Sequence, residues 1–232
     1  MKHYLVIGAS SGIGKQLATT LSANGDEVYG TFFSAPRPLA EPGLTFYPLN
    51  VLDESLNFDF LPEKLDGVVY CPGSINLKPF SRIKPSSFLD DFNLQVLGAI
   101  KVIQAILPKL KASENASIVL FSTVAVQFGF NFHSQVSTSK GAIEGLTRAL
   151  AAEFAPQIRV NCIAPSLTDT PLASKLLSSD EKKIANAQRH PLKKIGSPFD
   201  LAEMAAFLLS DKTAWMTGQV LHVDGGMSSL RS

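Results

Sequence analysis

The sequence predicts a single α/β domain built on a doubly wound parallel sheet with helices on both faces. Three observations carry that expectation. Short β-branched and aromatic runs alternate with helix-length amphipathic stretches along all 232 residues. Several of the runs are apolar throughout, as strands covered on both faces must be. The first run passes through a glycine-rich turn straight into a helical pattern, the opening of a parallel βα unit.

Seven strand candidates follow one another at residues 4–7, 28–32, 45–47, 67–70, 117–122, 159–163 and 220–223. Helical periodicity occupies 13–23, directly after the glycine turn, while the proline-rich residues 34–43 read as a loop. A second helix is expected over 94–110, ending near the polar stretch 111–115. In 140–154 the apolar residues Ala142, Ile143, Leu146, Ala149 and Leu150 recur at helix spacing. Residues 166–197 carry prolines, lysines and a helical piece at 180–188 but no strand, and read as a flexible flap. Pro198 and Asp200 announce a last helix over 201–209. No repeat or low-complexity linker divides residues 1–232, so one domain is expected.

Composition excludes several classes of function. With 45% hydrophobic residues, 18% charged residues and a net charge of +1, the chain has neither a nucleic-acid surface's basic excess nor a disordered chain's polarity. Cys71 and Cys162 sit far apart in apolar runs and read as buried thiols of a reducing compartment. The four histidines have no metal-ligand spacing. Met1-Lys2-His3 leads straight into the first strand, leaving no room for a signal peptide. The most apolar helical stretch, 98–107, is interrupted by Lys101 and Gln104, far short of the roughly 20 residues that span a bilayer. A soluble cytoplasmic protein with no membrane partner is expected.

The turn reads Gly8-Ala9-Ser10-Ser11-Gly12-Ile13-Gly14. Between a strand and a helix N-terminus, backbone amides and the helix dipole make an anion site, and absent Cβ atoms let a pyrophosphate approach. The spacing is GxxxGxG, so the GxGxxG fingerprint is not met, and a Walker A loop fails at Ala9 and Gln16.

This turn occurs in order with Ser137-Thr138-Ser139-Lys140 at a helix start, Arg159-Val160-Asn161 with Ala164-Pro165, and Thr217-Gly218 with Asp224-Gly225-Gly226. Together these segments resemble the short-chain dehydrogenase/reductase family over essentially the whole chain, particularly its 3-oxoacyl-carrier-protein-reductase-like members. The resemblance implies a Rossmann-type domain with a seven-stranded parallel sheet, NAD(P) in the crevice at the strand ends, and a homo-oligomer, commonly a tetramer. One departure is the short stretch 51–66, where the helix between the third and fourth strands looks truncated.

By that resemblance Gly8, Ser10, Ser11, Gly12, Ile13 and Gly14 surround the cofactor phosphates. Asn50, followed by Val51, stands in for an aspartate near the adenine, and Gly73 closes the segment Tyr70-Cys71-Pro72-Gly73, where Tyr70 faces cofactor or core. Pro165 to Thr170 matches a Pro-Gly-x-x-x-Thr segment with Ser166 in place of glycine. This assigns the Thr168 backbone to the nicotinamide carboxamide and the Thr170 hydroxyl to the phosphates. Asn161 and Asp224 read as structural. Thr31-Phe32-Phe33-Ser34 lacks the carboxylate that would repel a 2′-phosphate. NADP is therefore expected, with Ser34 and Arg37 as phosphate contacts. NAD stays possible, because Arg37 reads equally as a solvated loop charge and Ser11 replaces a basic residue common in NADP-preferring relatives.

The catalytic pattern departs from the family. Its tyrosine donates a proton to the developing alkoxide, and a lysine one turn later lowers the tyrosine pKa and holds the nicotinamide ribose. Lys140 matches the lysine, which puts Val136 at the tyrosine position. Thr123 falls at the serine position and Gln95 at the asparagine position. Choosing Asn93 instead would rotate the group by about 200° on the helix. Lys140 through a water, Thr123 or His133 could replace the phenol. Leu172, Leu176 and Leu177 suggest an apolar substrate lining or, equally, a packing face. The expected function is NADP(H)-dependent hydride transfer to or from a small carbonyl or alcohol substrate with a non-standard proton donor. The alternative is a silent cofactor-binding subunit or sensor beside an active paralogue in a mixed oligomer.

Overall fold

The computed structural model describes residues 1–33 and 41–230. All seven strands join one parallel sheet: β1 (His3–Ile7), β2 (Glu27–Phe32), β3 (Leu44–Pro48), β4 (Gly67–Tyr70), β5 (Ala116–Phe121), β6 (Ile158–Pro165) and β7 (Val220–Val223), in the order β3-β2-β1-β4-β5-β6-β7. The order reverses between β1 and β4, whose Ile7 and Tyr70 are register partners, so the crevice of a doubly wound sheet opens there.

Alternation along the strands sorts the core into two layers. Leu5, Ile7, Val68, Tyr70, Ile118 and Leu120 face one side, where α3 (Gly98–Lys111) and α4 (Ser134–Phe154) cover them with Val102, Ile106 and Ile143. Tyr4, Val6, Val69, Val119 and Ile163 face the other, under α1 (Gly12–Ala23) and α6 (Pro198–Leu209), which bring Leu17, Leu21, Leu201 and Leu208. Period-2 side chains on a sheet covered twice explain why these strands read as unbroken apolar runs. Between β3 and β4 no helix forms. An irregular segment instead sinks Phe58, Leu61 and Leu65 into the first layer.

Three helix boundaries differ from expectation. The helix expected from residue 94 begins with α2 (Pro85–Phe92), passes through a π turn at Asn93–Leu97 and continues as α3. The Tyr70 hydroxyl donates to the Leu94 carbonyl inside that turn at 2.6 Å, a side chain entering the backbone ladder where its register shifts. α4 starts at Ser134, so Ser137 to Lys140 lie inside the helix and not at its start. α6 starts at Pro198, with Ser197 and Asp200 forming a reciprocal capping box. The expected helical piece at 180–188 forms as α5 (Asp180–Gln188), with Ser179 capping the Lys182 amide. The segment around it is pinned at its base, where Asp169 N donates to Gly196 O at 2.8 Å and Gly196 N to Leu167 O at 3.1 Å. Among the described residues no helix is long and apolar enough to cross a membrane.

Candidate active site

The glycine turn after β1 is built by close approach. Gly8 and Gly12 adopt φ of +79° and +55°, which disfavour any side chain. A Cβ on Gly14 would collide with the Gly8 carbonyl oxygen, and one on Gly12 would lie 3.4 Å from the Thr170 side chain. The loop is anchored from behind by Gly8 N to Thr31 Oγ1 at 3.1 Å and Ala9 N to Thr31 O at 2.8 Å. Ser11 at the N-cap of α1 makes no side-chain cap bond, and no acidic residue lies in the first turn. Among the described residues, neither a side-chain cap nor a first-turn carboxylate thus neutralises the positive end of α1.

Beside this turn, at the carboxyl ends of β4, β5 and β6, lies a cavity of about 290 Å³. Gly73, Gln95, Thr123, Val136, Lys140, Pro165, Thr168 and Thr170 all line it, between apolar walls from Ile75, Leu77, Leu172 and Leu176. Val136, 9% exposed, and Lys140 come from successive turns of α4. Lys140 Nζ donates to Phe121 O at 2.8 Å. Burial lowers its pKa to about 8, against a partial opposing pull from Cys162, Asp91 and Cys71. Thr123 Oγ1 accepts from Ala125 N at 3.3 Å, and its neighbour Ser122 donates to Glu144 Oε1 at 2.8 Å.

Behind the cavity sits a buried carboxylate that motif reading passed over. Asp91 accepts from Gln95 Nε2 through both oxygens at 2.8 Å, from Ser139 Oγ at 2.6 Å and from Ser74 Oγ. Gln95 is fully buried, and its Oε1 has no hydrogen-bond partner among the described residues. That oxygen and Lys140 Nζ would lie 3.4 Å and 3.9 Å from a Cβ on Gly73, so both flank the same glycine. A second pair faces the cavity from the other side: Ser166 Oγ is 2.9 Å from His190 Nε2, and His190 Nδ1 is 2.9 Å from Asn186 O. The serine in place of glycine was visible in the sequence. The histidine 24 residues later carried no local signal.

Comparison with known proteins decides the family. Residues 8–228 match the family model described as enoyl-(acyl carrier protein) reductase. The 3-oxoacyl-(acyl-carrier-protein) reductase FabG of Thermotoga maritima is 31% identical over 245 residues, covering 97% of each chain. The chain belongs to the short-chain dehydrogenase/reductase family. A short-chain type dehydrogenase/reductase from Mycobacterium ulcerans superimposes with a TM-score of 0.86 at 28% identity, covering 100% of this chain and 91% of that one. ElxO with NADP bound superimposes with a TM-score of 0.86 at 27% identity, covering 99% and 100%.

Among the described positions singled out from the sequence of this short-chain dehydrogenase/reductase, Asn50, Val51, Tyr70, Asn93 and Leu177 lie apart from the cavity. Ser34 and Arg37 fall outside the described residues. Both ends of the Asn50 amide are taken within its own turn, by Asp53 Oδ1 at 2.7 Å and Leu52 N at 3.1 Å, and Val51 is packed in the core against Gly98. Tyr70 is a core residue, with its hydroxyl spent on Leu94, and none of the chain's four tyrosines lines the cavity. Asn93 is exposed on the α2–α3 stretch. His133 reaches the cavity rim with Nδ1 2.8 Å from Asn131 O. Leu177 is buried away from the cavity, unlike Leu172 and Leu176. Asn161 ties β6 to β7 through Met216 O and Gln219 N, and Asp224 accepts from the Gly226 and Ser228 amides, so both are structural.

Proposed function

We propose that this short-chain dehydrogenase/reductase binds NADP(H) and catalyses hydride transfer between the nicotinamide and a carbonyl or alcohol substrate, with a proton donor other than tyrosine. The observation that carries the reading is Lys140, a buried ammonium in a cavity with apolar walls that no tyrosine lines. The cradle fits a dinucleotide: Ser11 makes no side-chain cap bond to the amides that open α1, and the Gly8–Gly14 contact leaves no room for a Cβ. In this reading those amides and the Thr170 hydroxyl hold the phosphates, Lys140 holds the nicotinamide ribose and the Thr168 backbone meets the carboxamide. When bound, the nicotinamide supplies or accepts the hydride. Thr123, whose oxygen accepts from Ala125 N, keeps its hydroxyl hydrogen to orient a substrate carbonyl. NADP is favoured over NAD by the absence of a carboxylate in Thr31-Phe32-Phe33-Ser34, with Arg37 close behind in sequence, and the NADP-bound relative supports it.

Free Cys71 and Cys162 accord with a cytoplasmic protein. Phe199, Phe207 and Trp215, exposed on and after α6, are the kind of surface a homo-oligomer would cover.

Val136 favours a second reading, a silent cofactor-binding subunit partnering an active paralogue. One experiment separates the two. NADPH and NADH are titrated by fluorescence, and NADPH oxidation is followed with a carbonyl panel that starts from 3-oxoacyl thioesters. Binding with turnover supports the oxidoreductase, binding without turnover supports the silent subunit, and absence of binding overturns both.

A further inference from the structure

We infer that Ser166 and His190 form a hydroxyl–imidazole relay that delivers the proton at this cavity, taking over from the missing phenol. This relay rests on the oxidoreductase reading above. Asn186 O can only accept, so His190 Nδ1 carries a hydrogen in either charge state. The neutral ring therefore presents a bare Nε2 to Ser166 Oγ, 2.9 Å away, and accepts the hydroxyl proton. In the imidazolium the same contact reverses, with Nε2–H donating to Ser166 Oγ and the hydroxyl hydrogen free to turn into the cavity. The other acceptor beside that hydroxyl is the Met227 thioether at 3.4 Å, a weak one. A nucleophile or acid paired with an imidazole, and the imidazole fixed by a third group, is the arrangement that proton transfer needs.

The position of the ring gives the relay a source. His190 is 2% exposed yet forms a wall between two cavities. Ser166, Leu167 and His190 line both the large cavity and a smaller one of about 150 Å³. Lys194, Asp200 and Asp224 line the smaller cavity with His190. His133, Lys140 and Arg189 face the larger one. Asp200 is shared with the Ser197 capping box, and Asp224 with the Gly226 and Ser228 amides. In this relay, water in the smaller cavity, bonded to these side chains, would recharge the ring.

Each step balances. As the carbonyl carbon accepts a hydride from the reduced nicotinamide dinucleotide, its oxygen takes the Ser166 hydroxyl proton. Ser166 Oγ takes the Nε2 proton of the imidazolium. The neutral imidazole, still bonded to Asn186 O, regains a proton from water in the smaller cavity. Alcohol oxidation runs the same path backwards and needs the neutral ring.

The test uses the full chain and two variants. Ser166→Gly installs the residue of the family segment, and His190→Gln keeps a polar side chain without an ionisable ring. NADPH affinity by fluorescence is expected to change less than about threefold. Single-turnover reduction of the best carbonyl substrate is expected to fall about 10²-fold or more in each variant, with no further loss in the double variant. In the wild-type chain reduction should slow and alcohol oxidation quicken as pH rises, and His190→Gln should abolish both limbs. Nitrogen-15 NMR of the free protein should show neutral His190 protonated at Nδ1, with the Nε2 resonance moved by Ser166→Gly. An active wild-type chain whose variants keep its rate and pH profile overturns the relay alone, as does a neutral ring protonated at Nε2. A wild-type chain that binds NADPH but reduces no carbonyl overturns the oxidoreductase reading and the relay with it.

Discussion

Gln95 Nε2 lies 2.8 Å from each carboxylate oxygen of Asp91, four residues earlier on the same helical stretch. The pair closes over the π turn that brings Gln95 to the cavity, and the same carboxylate takes Ser139 from α4 and Ser74 from the segment after β4. Asp91 therefore joins three chain segments behind Lys140 at a place water barely reaches.

Removing that carboxylate strands three donors. A buried donor without a partner costs about 1–3 kcal/mol, so Asp91→Ala should destabilise the protein by about 3 kcal/mol or more in urea unfolding. Asp91→Asn, which keeps one acceptor oxygen, should lose less.

Val136→Tyr sets a phenol one turn before Lys140. With Ser166 and His190 intact, the added acid should raise turnover less than about tenfold. In the Ser166→Gly background, where that supply is cut, it should recover a large part of the roughly 10²–10⁴-fold that a positioned acid is worth. Single-turnover rates of the four combinations measure this.

Lys140 carries a pH signature in stability. Its pKa falls from 10.5 unfolded to about 8 folded because burial disfavours the ammonium. Between those values the unfolded chain binds more protons, so stability gained from this residue rises with pH, and below pH 8 the burial penalty is fully present. Against Lys140→Met, whose side chain does not titrate, wild-type stability should be lowest and flat below pH 8 and climb by up to about 1.4 kcal/mol per pH unit above it. Paired denaturation curves at pH 7 and pH 9.5 test the sign.

Gly14→Ala puts a methyl group into the Gly8 carbonyl. The roughly 1 kcal/mol that alanine adds to helix propensity is outweighed by overpacking of about 1–3 kcal/mol. Thermal unfolding should show net destabilisation, and NADPH affinity should weaken at least about tenfold as the turn is pushed out of shape.

The layers and seven strands were legible because apolar runs such as Ile118-Val119-Leu120 announce burial on both faces. The first turns of α4 were not, since Ser134, Gln135, Ser137, Thr138 and Ser139 show no apolar periodicity. Gln135 and Ser139 are buried all the same, through bonds to Asn76 and Asp91. At the site, Gln95, Thr123, Val136, Lys140, Thr168 and Thr170 were named from the family resemblance and do meet at one cavity, whereas Asn50 and Val51 do not reach it.

The sequence by itself determined the alternation of strand and helix, the glycine turn ahead of α1 and the absence of a tyrosine four residues before Lys140, all of them local patterns. Only the tertiary structure decided which polar groups pair inside. Asp91 meets Ser139 from 48 residues away, and Ser166 meets His190 across 24. A hydrogen bond between distant segments depends on how the layers pack, and the periodicity of either segment, which marks its buried face, does not say which partner it meets there.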